Sequence, residues 1–243
     1  MTRDLLLAIL PDVPRWVELR SLLRVGRGEV LGFRDNPLAC AVADPAFGAA
    51  FVVGKPAEEA IGEALALAGP HGTLMTPAEN CVWVSGALPE LEVERAILHQ
   101  LVQLPVLPTL RTGEVRHLAP GELETLPVPP LLQSELRVAE AAGTPIAAAL
   151  AGDTPVAFCY AGSVTESLWD ISIDTLAPWR RRGYATRAAR FEIERFATLG
   201  LRPVWGAVES NVASRGLAQS LGFIPADELC IFSPPGPHGE AEI

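Results

Sequence analysis

The sequence predicts an α/β (α+β) chain, because strand-like and helix-like hydrophobic patterns occur together along it. Residues 168–175 alternate apolar and polar side chains, which is the period of two of a strand with one buried face. In residues 184–199 the spacing becomes helical, and Ala185, Ala189 and Ile193 fall on one side. Hydrophobic residues make up 49% of the 243 residues and charged residues 20%. This composition can support a sizeable core.

The first part of the chain predicts a small α/β region without a recognisable site motif. His71 and His99 have no partner at ligand spacing, and a lone histidine is most simply a surface or capping residue. Apolar spacing, prolines and turn residues mark the elements of this region. The predicted elements are a helix from Pro14, strands at 39–43 and 49–53, a helix at 56–67 and a further strand at 81–84.

A stretch containing Pro105 and Pro108 predicts a boundary between two domains. We expect an N-terminal α/β region of residues 1–110, a second domain of residues 111–235 and a loose tail of residues 236–243. The second domain has the predicted order β α α β β β α β α β, at 114–118, 119–126, 132–142, 145–150, 155–161, 168–175, 184–199, 204–208, 212–221 and 228–232.

Charge and cysteine usage argue against several functional classes. The formal net charge of −10 repels polyphosphates, so we expect no nucleic-acid partner. The four cysteines, Cys40, Cys81, Cys159 and Cys230, are far apart, and their spacing predicts neither a metal site nor a disulfide framework. In residues 1–16 the only apolar run is short and interrupted, unlike a signal peptide or membrane span. We therefore expect a cytoplasmic protein without a membrane partner.

The junction after the strand at 168–175 has the composition of a phosphate site. At the start of a helix several N–H groups lack intrahelical acceptors and carry partial positive charge. Gly183 allows an anion to approach the backbone closely, and Arg180, Arg181 and Arg182 add positive charge. These residues by themselves leave two alternatives, a pyrophosphate site or an ordinary solvated loop.

Two motifs carry a resemblance to a known family. The pattern Arg180-x-x-Gly-x-Ala resembles the Arg/Gln-x-x-Gly-x-Gly/Ala signature of the GNAT (GCN5-related) N-acetyltransferase superfamily. Downstream, Asn211-x-x-Ser and then Leu221-Gly-Phe resemble the second motif of that family. The stretch 171–223 as a whole is similar to the bacterial GNAT acetyltransferase subgroup with an extra N-terminal region. The preceding residues 1–110 lie outside the resemblance.

The resemblance implies the GNAT fold, a central mixed, mostly antiparallel sheet flanked by helices, with acetyl-CoA or coenzyme A as co-substrate. Acyl-CoA would lie where two strands separate, with its pantetheine on one strand, its pyrophosphate at the following helix start, and a strand amide near Ile173 facing the oxyanion. Two residues of the next helix would contact pantetheine or cap that helix. The implied cofactor-binding residues are Ile173, Asp174, Thr175, Arg180, Arg181, Arg182, Gly183, Tyr184, Ala185, Thr186, Asn211 and Ser214.

The implied reaction is direct attack of a neutral amine on the thioester. It requires removal of a proton, stabilisation of the oxyanion and protonation of the departing thiolate. Asp170, Glu166 and Glu209 are the candidate catalytic carboxylates, although each also fits an ordinary surface position. The tyrosine that many family members use to protonate the thiolate is replaced by Ala218. Tyr160 is expected to be a packing residue of a strand.

Three functional hypotheses remain open. The first is an N-acyltransferase acting on a small-molecule or peptide amine, and an acidic surface favours cationic acceptors. The second is a CoA-binding regulatory or interaction module without catalysis, which Ala218 favours. The third is a nucleic-acid-binding protein, which the net charge disfavours. The N-terminal region could be a degenerate second half, a lid or a dimerisation unit, so a homodimer is among the expectations.

Other prominent residues have simple structural interpretations. We expect Trp169 and Trp205 to pack in the core and His117 to lie at the surface. Glu192 and Arg195 are at helical neighbour spacing, and we expect them on the polar side of their helix.

Overall fold

A computed structural model describes residues 2–33, 36–102 and 113–235 of the chain. Within these ranges it contains seven α-helices and eleven β-strands. The helices are α1 (Thr2–Ile9), α2 (Val17–Arg24), α3 (Glu58–Ala68), α4 (Cys81–Ala87), α5 (Pro130–Ala141), α6 (Tyr184–Thr198) and α7 (Val212–Ser220). The strands are β1 (Glu29–Leu31), β2 (Cys40–Asp44), β3 (Ala49–Val53), β4 (Thr73–Pro77), β5 (Glu92–Leu101), β6 (Val115–His117), β7 (Ala147–Ala151), β8 (Thr154–Val164), β9 (Leu168–Thr175), β10 (Arg202–Val208) and β11 (Phe223–Ser233).

The chain divides into two compact units that are interleaved along the sequence. Unit 1 contains the residues up to 99, residues 206–215 and the chain from 225 onward. Unit 2 contains residues 100–205 and 216–224. The proline-containing boundary near residue 110 and the tail 236–243 lie outside the described residues, so the contiguous domains drawn from the sequence stay a prediction.

Unit 1 is built on the strand order β1-β2-β3-β4-β11, with β5 beside β11. The β3–β4 pair is parallel, and the β1–β2, β2–β3 and β4–β11 pairs are antiparallel. Alternate side chains of β2 enter two different cores. On one face Ile61 of α3 and Val84 of α4 are fully buried, and on the other Leu6 of α1 and Leu19 of α2 are fully buried.

Unit 2 has the strand order β10-β9-β8-β7-β6, in which only the β9–β10 pair is parallel. Helix α5 covers one face, where Leu136 packs in a core with Phe158 of β8. Helix α6 covers the other face, and its Phe196 stacks on Trp169 of β9 with ring centroids 4.1 Å apart. These mixed, mostly antiparallel strands flanked by helices confirm the predicted fold class.

Most predicted elements are present, with ends that differ by a few residues. The strand predicted at 81–84 is wrong, because these residues begin helix α4, and a short apolar run does not distinguish the two structures. The sequence predicts neither helix α1 nor strands β1, β4 and β5. The surface position expected for His99 is also wrong, because this residue belongs to β5 and is fully buried.

No helix in the described part of the chain is both long and apolar enough to cross a membrane.

Candidate functional site

Strand β9 extends beyond its pairing with β10 and leaves part of its backbone accessible. The parallel register joins Arg202–Val204 to Leu168–Asp170, whereas β9 continues to Thr175. Ile171 is buried, and the residues from Ser172 to Thr175 are partly exposed. On its other side β9 pairs with β8 from Trp169 to Thr175. The end of β9 thus presents a firmly held strand to which a further chain can bind.

The connection from β9 to α6 has an unusual backbone. A short 3₁₀ turn, Ala177–Trp179, follows the strand, and α6 begins at Tyr184. Between them Arg181 has φ 61° and Gly183 has φ 78°. Among the described residues Arg181 is the only non-glycine residue with positive φ. A backbone with such left-handed residues can turn successive N–H groups to one side, an arrangement that suits an anion beside the free N–H groups at the start of a helix.

The glycine at position 183 is explained by its backbone conformation. A Cβ atom added there would meet no heavy atom of the protein within 4 Å, so packing does not require a glycine. The left-handed φ does favour one. The open space above Gly183 faces solvent, because the residue is exposed, and an anion can approach from that side.

The three arginines of the loop have different surroundings. The Nε atom of Arg180 donates to the carbonyl oxygen of Thr175 at 3.1 Å, which ties the loop back to the end of β9. The guanidinium of Arg182 lies 5.1 Å from the ring centre of Trp179. Arg181 and Arg182 are exposed, so their charge is available to a ligand, whereas Arg180 holds the loop.

The three candidate catalytic carboxylates lie in different places. Asp170 is partly exposed and forms the last paired rung of β9 with β10, next to the accessible part of the strand. Glu166 is exposed in the turn before β9, at the end of the strand away from the loop. Glu209 is exposed and belongs to unit 1. Of the three, only Asp170 lies beside the candidate site in unit 2.

The second motif has a clear structural role. The side-chain oxygen of Asn211 accepts a hydrogen bond from the main-chain N–H of Ser214 at 2.9 Å. This is the geometry of a helix N-cap, and it fits the capping alternative raised by the sequence. Both residues belong to unit 1. Ala218, which replaces the usual tyrosine, is fully buried.

Sequence reasoning missed a polar cluster on the face of the unit 2 sheet that α5 covers. This α5-face cluster consists of Glu135 of α5, Tyr160 of β8, and Ser172 and Asp174 of β9. The register pairs Tyr160 with Ser172, and the hydroxyl groups of these two residues are hydrogen-bonded. The side chains of Ser172 and Asp174 share one face, because alternate residues of a strand point the same way. The polar half of the period-two pattern was the available signal, but it normally indicates a solvated face.

Burial raises the pKa of each titratable member of the α5-face cluster. For Asp174 burial outweighs the opposite effect of Arg180, and for Glu135 the charge of Asp174 adds to burial in raising the pKa. Burial is also the main cause for Tyr160, followed by the charge of Glu135, and together they raise its pKa to about 12. Groups with shifted pKa values of this kind are frequent in catalytic sites.

One expectation about α6 is wrong. Glu192 is fully buried, although its spacing to Arg195 indicated the polar side of the helix. Its carboxylate lies 2.6 Å from Nε2 of His117 and 2.7 Å from a guanidinium nitrogen of Arg195. His117, which was expected at the surface, is partly exposed, and its ring also packs edge-on against Phe191. Arg195 and the ring of His117 make burial of Glu192 possible, and sequence spacing could not reveal that His117 is a partner.

Trp169 and Trp205 are almost fully buried, as predicted, and Trp205 packs edge-on against Phe223. Cys159 and Cys230 are fully buried as well. Within the described ranges, no group of three or more His, Cys, Asp or Glu side chains could hold a metal ion.

Comparisons with known proteins agree with this geometry. The family model described as GNAT acetyltransferase matches residues 143–232, which is less than half of the chain. No curated protein matches the sequence. The structure is similar to that of a GCN5-related N-acetyltransferase-like protein from Streptococcus suis, with a TM-score of 0.67, 15% identity, and coverage of 96% of this chain and 97% of that chain.

Two further solved structures are similar. One is an acetyltransferase from the GNAT family of Colwellia psychrerythraea, with a TM-score of 0.60, 13% identity, and coverage of 96% of this chain and 95% of the other. The other is a GCN5-related N-acetyltransferase from Kribbella flavida, with a TM-score of 0.58, 14% identity, and coverage of 92% and 95%. Identities this low establish similarity of fold only. The stretch that matches the GNAT acetyltransferase model, residues 143–232, contains β9, the positive-φ loop and α6.

Proposed function

We propose that the chain is an N-acyltransferase that moves an acetyl or other acyl group from acyl-CoA to a primary amine. The observation that carries the proposal is the direct connection between the accessible end of β9 and the positive-φ loop at the start of α6. An amide-containing pantetheine arm can bind along strand backbone, and a pyrophosphate binds where free N–H groups and positive charge converge. Coenzyme A carries both groups in one molecule.

The residues divide between these two parts of the ligand. Main-chain groups of Ile173, Asp174 and Thr175 would hold pantetheine. N–H groups of residues 181–186 would hold the pyrophosphate, and the exposed guanidinium groups of Arg181 and Arg182 would neutralise its charge. This division gives the side chain of Arg180 a different role, which is to fix the loop through its bond to Thr175.

Direct transfer requires a neutral amine beside the thioester carbon. A primary amine has a pKa near 10 in water and is mostly protonated at pH 7, so a base is required. Asp170 is the best placed of the three candidate carboxylates, because it forms the last register pair between β9 and β10, next to the unpaired part of β9. A main-chain amide near Ile173 would stabilise the oxyanion.

A cationic acceptor fits the charges of the protein. The chain has a formal net charge of −10, which attracts cations over a distance. Nearer the site, Glu135 and Asp174 lie close enough together for the charge of Asp174 to raise the pKa of Glu135. We infer an amine acceptor with net positive charge, either a small molecule or a peptide.

A second candidate function is a CoA-binding module without catalysis. The observation that favours it is the full burial of Ala218, which offers no proton donor at the usual position. Both candidates require CoA binding, so the decisive comparison is between binding and turnover.

The test begins with melting curves of the purified protein at increasing acetyl-CoA concentrations. A ligand bound only by the folded state raises the melting temperature. At a ligand concentration of a hundred times Kd, the free energy of unfolding rises by about 2.7 kcal/mol. Thiol release is then followed with a panel of small amines, polyamines and lysine peptides. A shift with thiol release supports the transferase, a shift without release supports the binding module, and no shift with acetyl-CoA, longer acyl-CoAs or free CoA refutes both.

Asp170→Asn and Glu166→Gln form a matched pair for the catalytic step. We expect Asp170→Asn to bind acetyl-CoA normally and to lower the turnover number about 100-fold at pH 7. The loss should shrink as the pH approaches the pKa of the acceptor amine, because the amine then loses its proton to solvent. Glu166→Gln should retain wild-type rates. Equal rates for the two variants would rule out Asp170 as the base.

A further inference from the structure

The departing coenzyme A raises a question that rests on the proposed function, namely which group protonates its sulfur. Sulfur leaves as a thiolate, and an alkyl thiol ionises near pH 8.5, so a hydrogen-bond donor assists departure at neutral pH. Ala218 presents only a methyl group, and it is fully buried. A donor must therefore come from another element near the accessible end of β9.

Ser172 has the required position on β9. It follows Asp170 and Ile171 on the part of the strand that extends beyond the pairing with β10, and it is partly exposed. It also directly precedes Ile173, whose backbone is proposed to hold the acyl end of the ligand. With the acyl end held at Ile173 as proposed, a hydroxyl at this position would lie beside the reacting bond of the thioester.

Tyr160 lies next to Ser172, on the neighbouring strand β8. The two residues are register partners in the β8–β9 pair, and their hydroxyl groups are hydrogen-bonded. Only 8% of Tyr160 is exposed, so its hydroxyl is largely shielded from water and can hold the serine hydroxyl in place. The ring of Tyr160 packs in the core beneath α5, as the sequence predicts, and its hydroxyl has Ser172 as an additional partner.

Gly162 supplies an independent observation about the same hydroxyl. Gly162 does not have a positive φ, so its backbone conformation does not require a glycine. A Cβ added there would lie 2.9 Å from the hydroxyl oxygen of Ser172 and 3.4 Å from a carboxylate oxygen of Asp170. The glycine lies at the β-bulge of β8, where the register shifts. The absence of a side chain at this position leaves room for the serine hydroxyl and the aspartate.

We propose that the hydroxyl pair of Ser172 and Tyr160 is the proton donor to the sulfur of coenzyme A. The amine nitrogen forms a bond to the carbonyl carbon, the carbon–sulfur bond breaks, and sulfur takes the bonding electron pair. Ser172 gives its proton to the sulfur and receives the phenolic proton of Tyr160. The proton that the base takes from the amine returns through water to Tyr160, which restores both groups. Tyr160 stays protonated over the working pH range, because burial and the nearby charge of Glu135 raise its pKa to about 12.

The test uses binding and therefore needs no acceptor. Kd is measured for free CoA, kept reduced, and for desulfo-CoA, which lacks the sulfur, at pH 6.5 and pH 9.5. A hydroxyl that donates to the thiolate should make wild-type protein prefer CoA over desulfo-CoA by about tenfold at pH 9.5, as expected for a charge-assisted hydrogen bond. At pH 6.5, where free CoA is a neutral thiol, the preference should fall to about twofold or less.

Three variants identify the donor. Ser172→Ala should abolish the preference for CoA at pH 9.5, and Tyr160→Phe should reduce it several-fold. Gly162→Ala should also reduce it, because the new methyl group displaces the serine hydroxyl although both hydroxyls are still present. The Kd for desulfo-CoA should stay within about twofold of wild type in all three, which verifies that each variant folds. Ser220→Ala, whose exposed hydroxyl bonds the carbonyl of Leu217 on α7, is the control and should retain the tenfold preference.

The outcomes separate this inference from the proposed function. A wild-type protein that binds both ligands equally at pH 9.5, or a Ser172→Ala variant that keeps the preference, overturns the assignment and leaves CoA binding intact. A wild-type protein that binds neither ligand overturns the assignment together with the proposed function.

Discussion

At the scale of single residues, the most informative side chains are carboxylates that the fold buries. Glu192 is compensated by His117 and Arg195, whereas Asp174 and Glu135 are partly desolvated neighbours whose pKa values are raised. A raised carboxylate pKa means that the folded state tolerates the negative charge less well than the unfolded state does. Such a residue lowers the free energy of unfolding at neutral pH. Residues that destabilise the fold in this way are typical of functional sites.

Asp174→Asn is therefore expected to raise the melting temperature at pH 7. The folded-state pKa of Asp174 lies above its unfolded value, so the cost of its charge is absent below the unfolded pKa, grows as the pH rises through the folded pKa, and is complete above it. The gain from the substitution should consequently vanish near pH 3. Melting curves at the two pH values provide the measurement, and Asp153→Asn, in the exposed turn between β7 and β8, is the matched control with no expected change. A gain of equal size at both pH values would contradict the explanation.

At the scale of elements, the connection between β9 and α6 combines local strain with the free N–H groups at the start of a helix. Glycine adopts the left-handed region without cost at position 183, but an arginine in that region costs roughly 1–2 kcal/mol. A strained residue persists only when the surrounding structure holds it, and strained residues concentrate at functional sites. Arg180, bonded to the end of β9, is one of the groups that hold this loop.

Arg181→Gly should stabilise the free protein and weaken CoA binding at the same time. Relief of the left-handed strain, less the greater flexibility of glycine in the unfolded chain, predicts a gain of up to about 1 kcal/mol. Loss of the guanidinium should raise the Kd for CoA several-fold. Urea unfolding and CoA titration measure the two effects. Arg182→Gly removes the same charge from a residue without positive φ, and it should weaken binding without stabilising the protein. A destabilised Arg181→Gly variant would mean that this position is unstrained.

At the scale of the whole molecule, segments that are distant in the sequence belong to the same compact unit. Strand β11 ends the described chain, yet it pairs with β4 of unit 1, with Leu229 opposite Pro77 and Phe232 opposite Leu74. Cys230 and Phe232 are buried in the same core as Leu74. The N-terminal residues therefore complete this part of their core only when the end of the chain is present.

A fragment of residues 1–110 is accordingly expected not to reach the native structure of unit 1. Without β11 the edge of β4 has unpaired N–H and carbonyl groups, and the core on that face loses a buried phenylalanine. Circular dichroism, thermal melting and light scattering of the fragment should show reduced strand content, no cooperative transition and association. A monomeric fragment with a cooperative melt would instead support the contiguous domain predicted from the sequence.

The sequence by itself determined the local features. Hydrophobic periodicity located most helices and strands, and the Arg180 motif located the loop before α6, inside the stretch that the GNAT acetyltransferase model matches, because a glycine-containing turn before a helix is a local arrangement. Prediction from periodicity failed at α4 and β5, because short apolar runs and weak alternation are compatible with more than one secondary structure. Tertiary structure alone decided which polar side chains meet.

The hydroxyls of Tyr160 and Ser172 come together through strand register, and Glu135 joins their cluster only because α5 packs on that face. Glu192 is buried because His117, 75 residues away along the chain, reaches its carboxylate. Each of these contacts depends on register or packing between distant segments, and local sequence patterns do not encode such information.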